Sequence, residues 1–154
     1  MNIFVLDTCP EIAAQSLCDQ HVVKMLLESA QMLCSAFPED TAPYKRSHYN
    51  HPCSVWTRSS EANWNWHVSH ALSIGAEYTK RYGKVHKSEQ VVRWCAAHSD
   101  LLSFPNKDIQ QFVQAMPDQY KSSDPVRAYR DYYIGEKLPF ARYRHTVRPD
   151  WLSI

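Results

Sequence analysis

The run Cys18-Asp19-Gln20-His21-Val22-Val23-Lys24-Met25-Leu26-Leu27-Glu28-Ser29-Ala30-Gln31-Met32-Leu33 holds neither Pro nor Gly. Its polar residues recur at spacings of three and four, the period of a helix. The helix is expected to begin near Glu11 and to end before Pro38. At about 100° per residue, His21, Lys24, Glu28 and Gln31 fall within roughly a quarter turn. Val22, Val23, Met25, Leu26, Leu27, Ala30, Met32, Leu33 and Phe37 occupy most of the remaining circumference. A helix apolar over that much of its surface belongs in the middle of a domain. Its narrow polar stripe then faces water or a cleft. A base, a cation, an acid and an amide together suit a cleft that handles protons or phosphates. The same four residue types are also common on solvated helix faces, and spacing alone does not separate the two readings.

Working outward, Met1 to Leu6 is short, apolar and β-prone, so a small strand or an extended arm is expected there. Pro38 to Pro52 reads as loop, punctuated by Pro38, Asp40, Pro43, Asn50 and Pro52. A second long helix is predicted from Ser54 to Tyr82, with Trp56, Ser60, Asn63, His67, His70, Ile74, Glu77 and Arg81 along one face. Gly83 suits its C-cap. Ser88 to Leu102 reads as a third helix and Ile109 to Gln114 as a short helical turn. Asp124-Pro125 is an N-cap followed by a first-turn Pro, starting a helix that reaches Ile134 or Lys137. The pattern predicts a single all-α domain over residues 1–154, built around two long crossing helices, those carrying Glu28 and His67.

Composition narrows the chemistry. Three Gly in 154 residues disfavour Gly-rich phosphate loops. A formal net charge of +1 provides no global attraction to nucleic acid, so any such contact must come from local basic patches. Five Cys, odd in number and without a CxxC pair, read as reduced thiols of a soluble cytosolic protein. No apolar run approaches the length of a membrane span. No four ligand-type residues form a recognised metal set, and no cofactor is implied.

Further candidates for substrate contact lie outside the central stripe. In Tyr44-Lys45-Arg46-Ser47-His48-Tyr49-Asn50-His51-Pro52, cations alternate with aromatics and an amide, a mixture that suits phosphates and stacked bases. Lys45, Arg46, Tyr49, Asn50 and His51 are the candidates there, against a bland reading as a polar loop whose tyrosines cap the core. On the second helix Trp56, Asn63, His67 and His70 are candidates, with interior polar groups as the competing reading. Arg81 and Lys84 belong to the basic run Lys80–Lys87, whose cations also suit a helix C-terminus.

Asp19-Gln20-His21 followed by an acid seven residues after the His resembles the small phage pyrimidine-dimer DNA glycosylases of the endonuclease V type. The short apolar segment Asn2-Ile3-Phe4-Val5-Leu6 is similar to that family's amino terminus. His51, Trp56 and Glu77-Tyr78-Thr79-Lys80-Arg81-Tyr82-Gly83 resemble its later helix. The resemblance covers roughly the first 84 residues; the remainder looks more like uncharacterised small phage proteins. The family's early arginine and strongly basic charge have no counterpart here.

The resemblance implies cleavage of the N-glycosidic bond of a damaged or modified pyrimidine in DNA, in the host cytoplasm. It implies Glu28 as the catalytic carboxylate and an α-amine as nucleophile. Asn at position 2 retains the initiator, so that amine is Met1, or Asn2 where Met1 is removed. His21 and Lys24 would hold a phosphate or sugar oxygen, with Gln31 beside them. Two other readings use the same residues: an enzyme acting on a free pyrimidine nucleotide, and a non-enzymatic accessory protein that binds a host factor.

Overall fold

The segment expected as one helix from Glu11 onward is two. In the computed structural model, described over residues 1–152, α1 spans Pro10–Gln15 and α2 spans Asp19–Cys34. The chain between them is extended at Cys18 (φ −69°, ψ 164°). No Pro or Gly marks this break; its cause is tertiary. Arg81, more than 60 residues along the chain, donates to the Leu17 carbonyl at 2.7 Å and to the Gln15 carbonyl at 3.0 Å. The Tyr143 hydroxyl donates to the Ser16 carbonyl at 2.8 Å. Carbonyls left orphaned by ending a helix are thus satisfied by distant side chains.

The second expected helix is divided in the same way, into α3 (Pro52–Ser59) and α4 (Glu61–Tyr82). Ser60 is extended, and its Oγ accepts from the Asn63 N–H at 3.0 Å. The N–H groups of Glu61 and Ala62 donate to the carbonyls of Asn106 and Lys107. A serine followed by an acid is a cap signal, and here it outweighs the continuous periodicity. Gly83 closes α4 in the left-handed region (φ 71°), where a side chain would be strained.

The architecture is all-α. α2 and α4 pack together at the centre, α1 lies on α4, and α5 (Glu89–Ala97) packs on both. Val22, Met25, Leu26 and Leu33 of α2 meet Trp64, Ala71 and Ile74 of α4 in one buried cluster with Val92 and Cys95 of α5. Each large apolar side chain so buried contributes about 1.5–3 kcal/mol. α2 is less enclosed than its composition implies, since Val23 and Leu27 are each 41% exposed. α6 (Pro125–Tyr132) starts at Asp124, which accepts from the Arg127 N–H, and runs into a π-helical turn at Tyr133–Lys137.

Of the two readings of Met1–Leu6, strand or arm, the structure has the arm, buried and extended: Asn2 Oδ1 accepts from the Ile3 and Phe4 N–H groups at 2.8 and 3.0 Å, bending the chain. Two further expectations are corrected. Residues 109–114 are not helical. They lie against α3 and α4, where Asn63 Oδ1 accepts from the Gln110 N–H and the Trp56 indole donates to the Gln111 carbonyl. The helical turn in that region is Asp118–Tyr120. The third helix ends at Ala97, with a separate 3-10 turn at Ser99–Leu101.

Among the described residues, no helix is long and apolar enough to cross a membrane. All five thiols are free.

Arg81 bridges α1, α2 and α4 from a buried position. Arg81→Ala leaves Asp19 and Glu77 buried without their cation, so urea denaturation should show a loss of about 3–5 kcal/mol. Lys84→Ala, on the exposed end of the same basic run, should be indistinguishable from the parent.

Candidate active site

Glu28 projects from the middle of α2 into a cleft of about 470 Å³. His21, Lys24 and Met25 line it from the same helix, Met1, Asn2 and Phe4 from the arm, and His51 from the start of α3. Gln114, Lys121, Tyr132 and Lys137, from the C-terminal part of the chain, complete it. Four positions singled out by sequence as catalytic, Met1, Asn2, His21 and Glu28, therefore share one cleft with Lys24 and His51.

The amino terminus and Glu28 are in contact. The Met1 amine lies 3.7 Å from Glu28 Oε1, and the Asn2 backbone N–H donates to the same oxygen at 3.0 Å. Lys24 Nζ stands 3.8 Å from Oε2, one helical turn away. The Asn2 side chain is occupied elsewhere: besides its bonds to the arm's own backbone, its amide donates to the Ala115 carbonyl at 2.7 Å. Asn2 thereby fixes the arm against the 112–116 segment, and only its backbone nitrogen faces the carboxylate.

His21 is held from two sides. Phe4 stacks on its ring with centroids 4.4 Å apart, and Phe4 takes the left-handed backbone conformation (φ 56°) to do so. A bulky side chain there stores about 1–3 kcal/mol of strain, a feature that clusters at functional sites. Tyr133 lies 2.6 Å from His21 Nδ1. The Tyr133 oxygen also accepts from the Cys18 N–H at 3.2 Å and lies 3.5 Å from the Cys18 sulfur, so Nδ1 is committed to Tyr133 while Nε2 is left to the cleft. Burial, then the charges of Lys137 and Lys24, pushes the His21 pKa down to about 4. The imidazole is therefore neutral at physiological pH. His51 is likewise lowered, by burial and then by the amino terminus and His48.

The other sequence candidates lie elsewhere. Gln31, Lys45 and Arg46 line a separate groove of about 450 Å³ with Leu27 and Lys87. Tyr49 carries the guanidiniums of Arg58 and Arg46 over its ring, at 3.7 and 4.2 Å. Asn50 and Lys84 are solvent-exposed. Trp56 and Asn63 are buried against the 110–111 backbone. His67 is enclosed between Thr57 Oγ1 (2.8 Å) and Ser29 Oγ (2.9 Å), and Arg81 serves the helix junction. His70 stacks on Trp66, and among the described residues neither of its ring nitrogens has a partner.

Lys121, Tyr132, Tyr133 and Lys137 were not distinguishable by sequence, because only long-range packing brings them to α2. A larger groove of about 620 Å³, between the start of α4 and residues 99–107, gathers Glu61, Asp100 and Lys107 but no comparable set of bonded groups. Among the described residues, no three His, Cys, Asp or Glu side chains are grouped to hold a metal ion.

No protein-family model, curated protein or solved structure matches this chain.

Acid sensitivity follows from the buried imidazoles. Burial lowers His67 and His70 to about 3 and His21 to about 4, from an ordinary 6.5. Between those values the unfolded chain binds protons that the native state refuses, so stability falls as pH drops from about 6.5 toward 3. Thermal unfolding across that range should show the midpoint dropping steadily. His70→Leu, which replaces an unbonded buried ring by an apolar side chain of similar size, should flatten part of the slope.

Proposed function

We propose that the chain is a DNA-acting enzyme that cleaves the N-glycosidic bond of a damaged or modified pyrimidine, with the amino-terminal α-amine as nucleophile and Glu28 as the catalytic carboxylate. The observation that carries this reading is the Met1 amine 3.7 Å from Glu28 Oε1 in a cleft open to substrate. An α-amine has a lower ordinary pKa than a lysine ammonium, so more of it is free base near neutrality. The Asn2 nitrogen lies 3.0 Å from the same oxygen, so the pairing of amine and acid survives removal of Met1.

In the proposed reaction the amine nitrogen attacks C1′ of the deoxyribose. The C1′–N bond breaks and its electron pair leaves with the base. Glu28 stabilises the positive charge that develops on the sugar and accepts the proton lost from the amine. Glu28 then returns that proton to the ring oxygen O4′ as the C1′–O4′ bond breaks, which opens the sugar and gives a protonated imine between protein and C1′, while the expelled base takes a proton from water. Neutral His21 turns its free Nε2 toward the sugar–phosphate, and Lys24 supplies a charge one turn along α2. A base within a duplex must first leave the stack, at a cost of a few kcal/mol.

A second reading, chemistry on a free pyrimidine nucleotide at the same residues, is favoured by the formal net charge of only +1, which offers little attraction to a long polyanion. Turnover of mononucleotides without dependence on DNA would select it.

Borohydride converts an imine into a stable amine. Incubation with DNA carrying pyrimidine dimers, in the presence of borohydride, should give a covalent adduct that peptide mapping places on Met1 or Asn2. Glu28→Gln should keep the fold by circular dichroism and lose turnover by about a thousandfold or more, the scale of removing an electrostatic stabiliser together with its proton acceptor. Full activity in Glu28→Gln would overturn the assignment; base release without an adduct would replace the amine by an activated water.

A further inference from the structure

We propose that the cleft holds a phosphate group beside Glu28, and that Lys121 and Lys137 are its ligands. The proposal rests on the reading of the cleft as a nucleotide-handling site and names the part of the substrate that the C-terminal wall receives.

The charges in the cleft are unbalanced. Among its lining residues Lys24, Lys121 and Lys137 face a single carboxylate, Glu28, and Lys24 is already in contact with it. Among the described residues Lys121 pairs only with Asp118, at 3.0 Å, and the Asp118 side chain is 95% exposed. Such a pair is worth little against solvent and yields readily to a second anion. Lys137 has no carboxylate partner among the described residues. Its ammonium lies over the ring of Tyr132 at 4.8 Å and near that of Phe140 at 6.0 Å. Two ammoniums without firm partners in one cleft, on a chain of net charge +1, leave an anion of concentrated charge as the natural complement.

The two lysines are also held in place relative to each other. Lys121 directly follows the Asp118–Tyr120 turn, and its N–H donates to the Asp118 carbonyl. On its other side Gln114 clamps Ser122, donating to its carbonyl at 2.6 Å and accepting its N–H at 3.0 Å. Lys137 ends the π-helical turn Tyr133–Lys137, and Tyr120 packs on Gly135 within that turn. A Cβ at residue 135 would collide with the Tyr120 hydroxyl and ring. The glycine thus lets the turn preceding Lys121 dock against the turn carrying Lys137. Single π-helical turns of this kind are frequent at functional sites.

A phosphate can come from a DNA strand or from a free nucleotide, and the test separates them. Binding of a fluorescein-labelled single-stranded oligodeoxynucleotide is measured by anisotropy, and binding of thymidine 5′-monophosphate by calorimetry. Parent, Lys121→Ala/Lys137→Ala, Gly135→Ala and Lys84→Ala proteins are compared, each checked for folding by circular dichroism. The double lysine substitution should weaken the ligand that binds by about tenfold or more. For the oligonucleotide it should also reduce the slope of log K against log salt by roughly 0.7, the value for one phosphate contact on a single strand. Gly135→Ala should weaken binding in the same direction, and Lys84→Ala should leave it unchanged.

Oligonucleotide binding alone identifies a strand phosphate; equal loss on both ligands identifies a nucleotide phosphate. Binding by neither ligand, or an equal effect of Lys84→Ala, overturns the proposal. Lysine-dependent binding without base release leaves this proposal standing and removes the glycosylase reading. Base release with unchanged binding in the double lysine variant does the reverse.

Discussion

The Arg81 guanidinium, buried within the fold, bonds Glu77 on its own helix at 3.0 Å, Asp19 in the first turn of α2 at 3.2 Å, and the Gln15 and Leu17 carbonyls at the end of α1. A charge so placed survives only when its donors are paired, so these groups constrain one another's positions more than they add net stability. Asp19 also accepts from the Arg144 N–H, which ties the C-terminal segment to the same point. The start of α2 is therefore fixed from three directions. His21 follows two residues later and Glu28 two turns beyond that. Their place in the cleft depends on a junction that faces away from any substrate.

Three stretches distant in sequence meet at the cleft, and each is held by bonds that a substrate need not break. The arm is bent by the Asn2 side chain and anchored to the Ala115 carbonyl. Its bend places Phe4 in a strained conformation against His21, and the surrounding packing (Tyr129 and Tyr133 edge-on, Tyr132 stacked) sustains that strain. Tyr133 links α2 to the C-terminal wall through Cys18 and His21. The result is a preorganised setting for a carboxylate and an amine, the condition that the proposed attack on a bound sugar places on them.

The all-α character was legible in the periodicity, as were the Gly83 and Asp124 caps and the convergence of His21, Lys24 and Glu28. What the pattern could not show were the interruptions. At Ser16–Cys18 the apolar period continues and only Arg81 and Tyr143, remote in sequence, reward a break. At Ser60 the cap signal was present, but the apolar positions run through it. That Asn63, His67 and His70 stood among the candidates for substrate contact has a similar origin, because a polar residue bonded inside a core carries the same letter as one lining a cleft. Burial distinguishes them: His67 is spent on Thr57 and Ser29, whereas His21 keeps one nitrogen free.

The distribution of cations explains how a chain of net charge +1 can still present an anion site. Several basic side chains are committed to the fold: Arg81 is buried, Arg130 pairs with Asp7 at 3.0 Å and covers Trp151, and Arg46 donates to the Phe37 carbonyl. Those lining the cleft are not so committed. Because the screening length at physiological salt is about 8 Å, the field that matters to an incoming phosphate is set by groups within the cleft rather than by the total. Such a surface has little long-range steering and discriminates at short range.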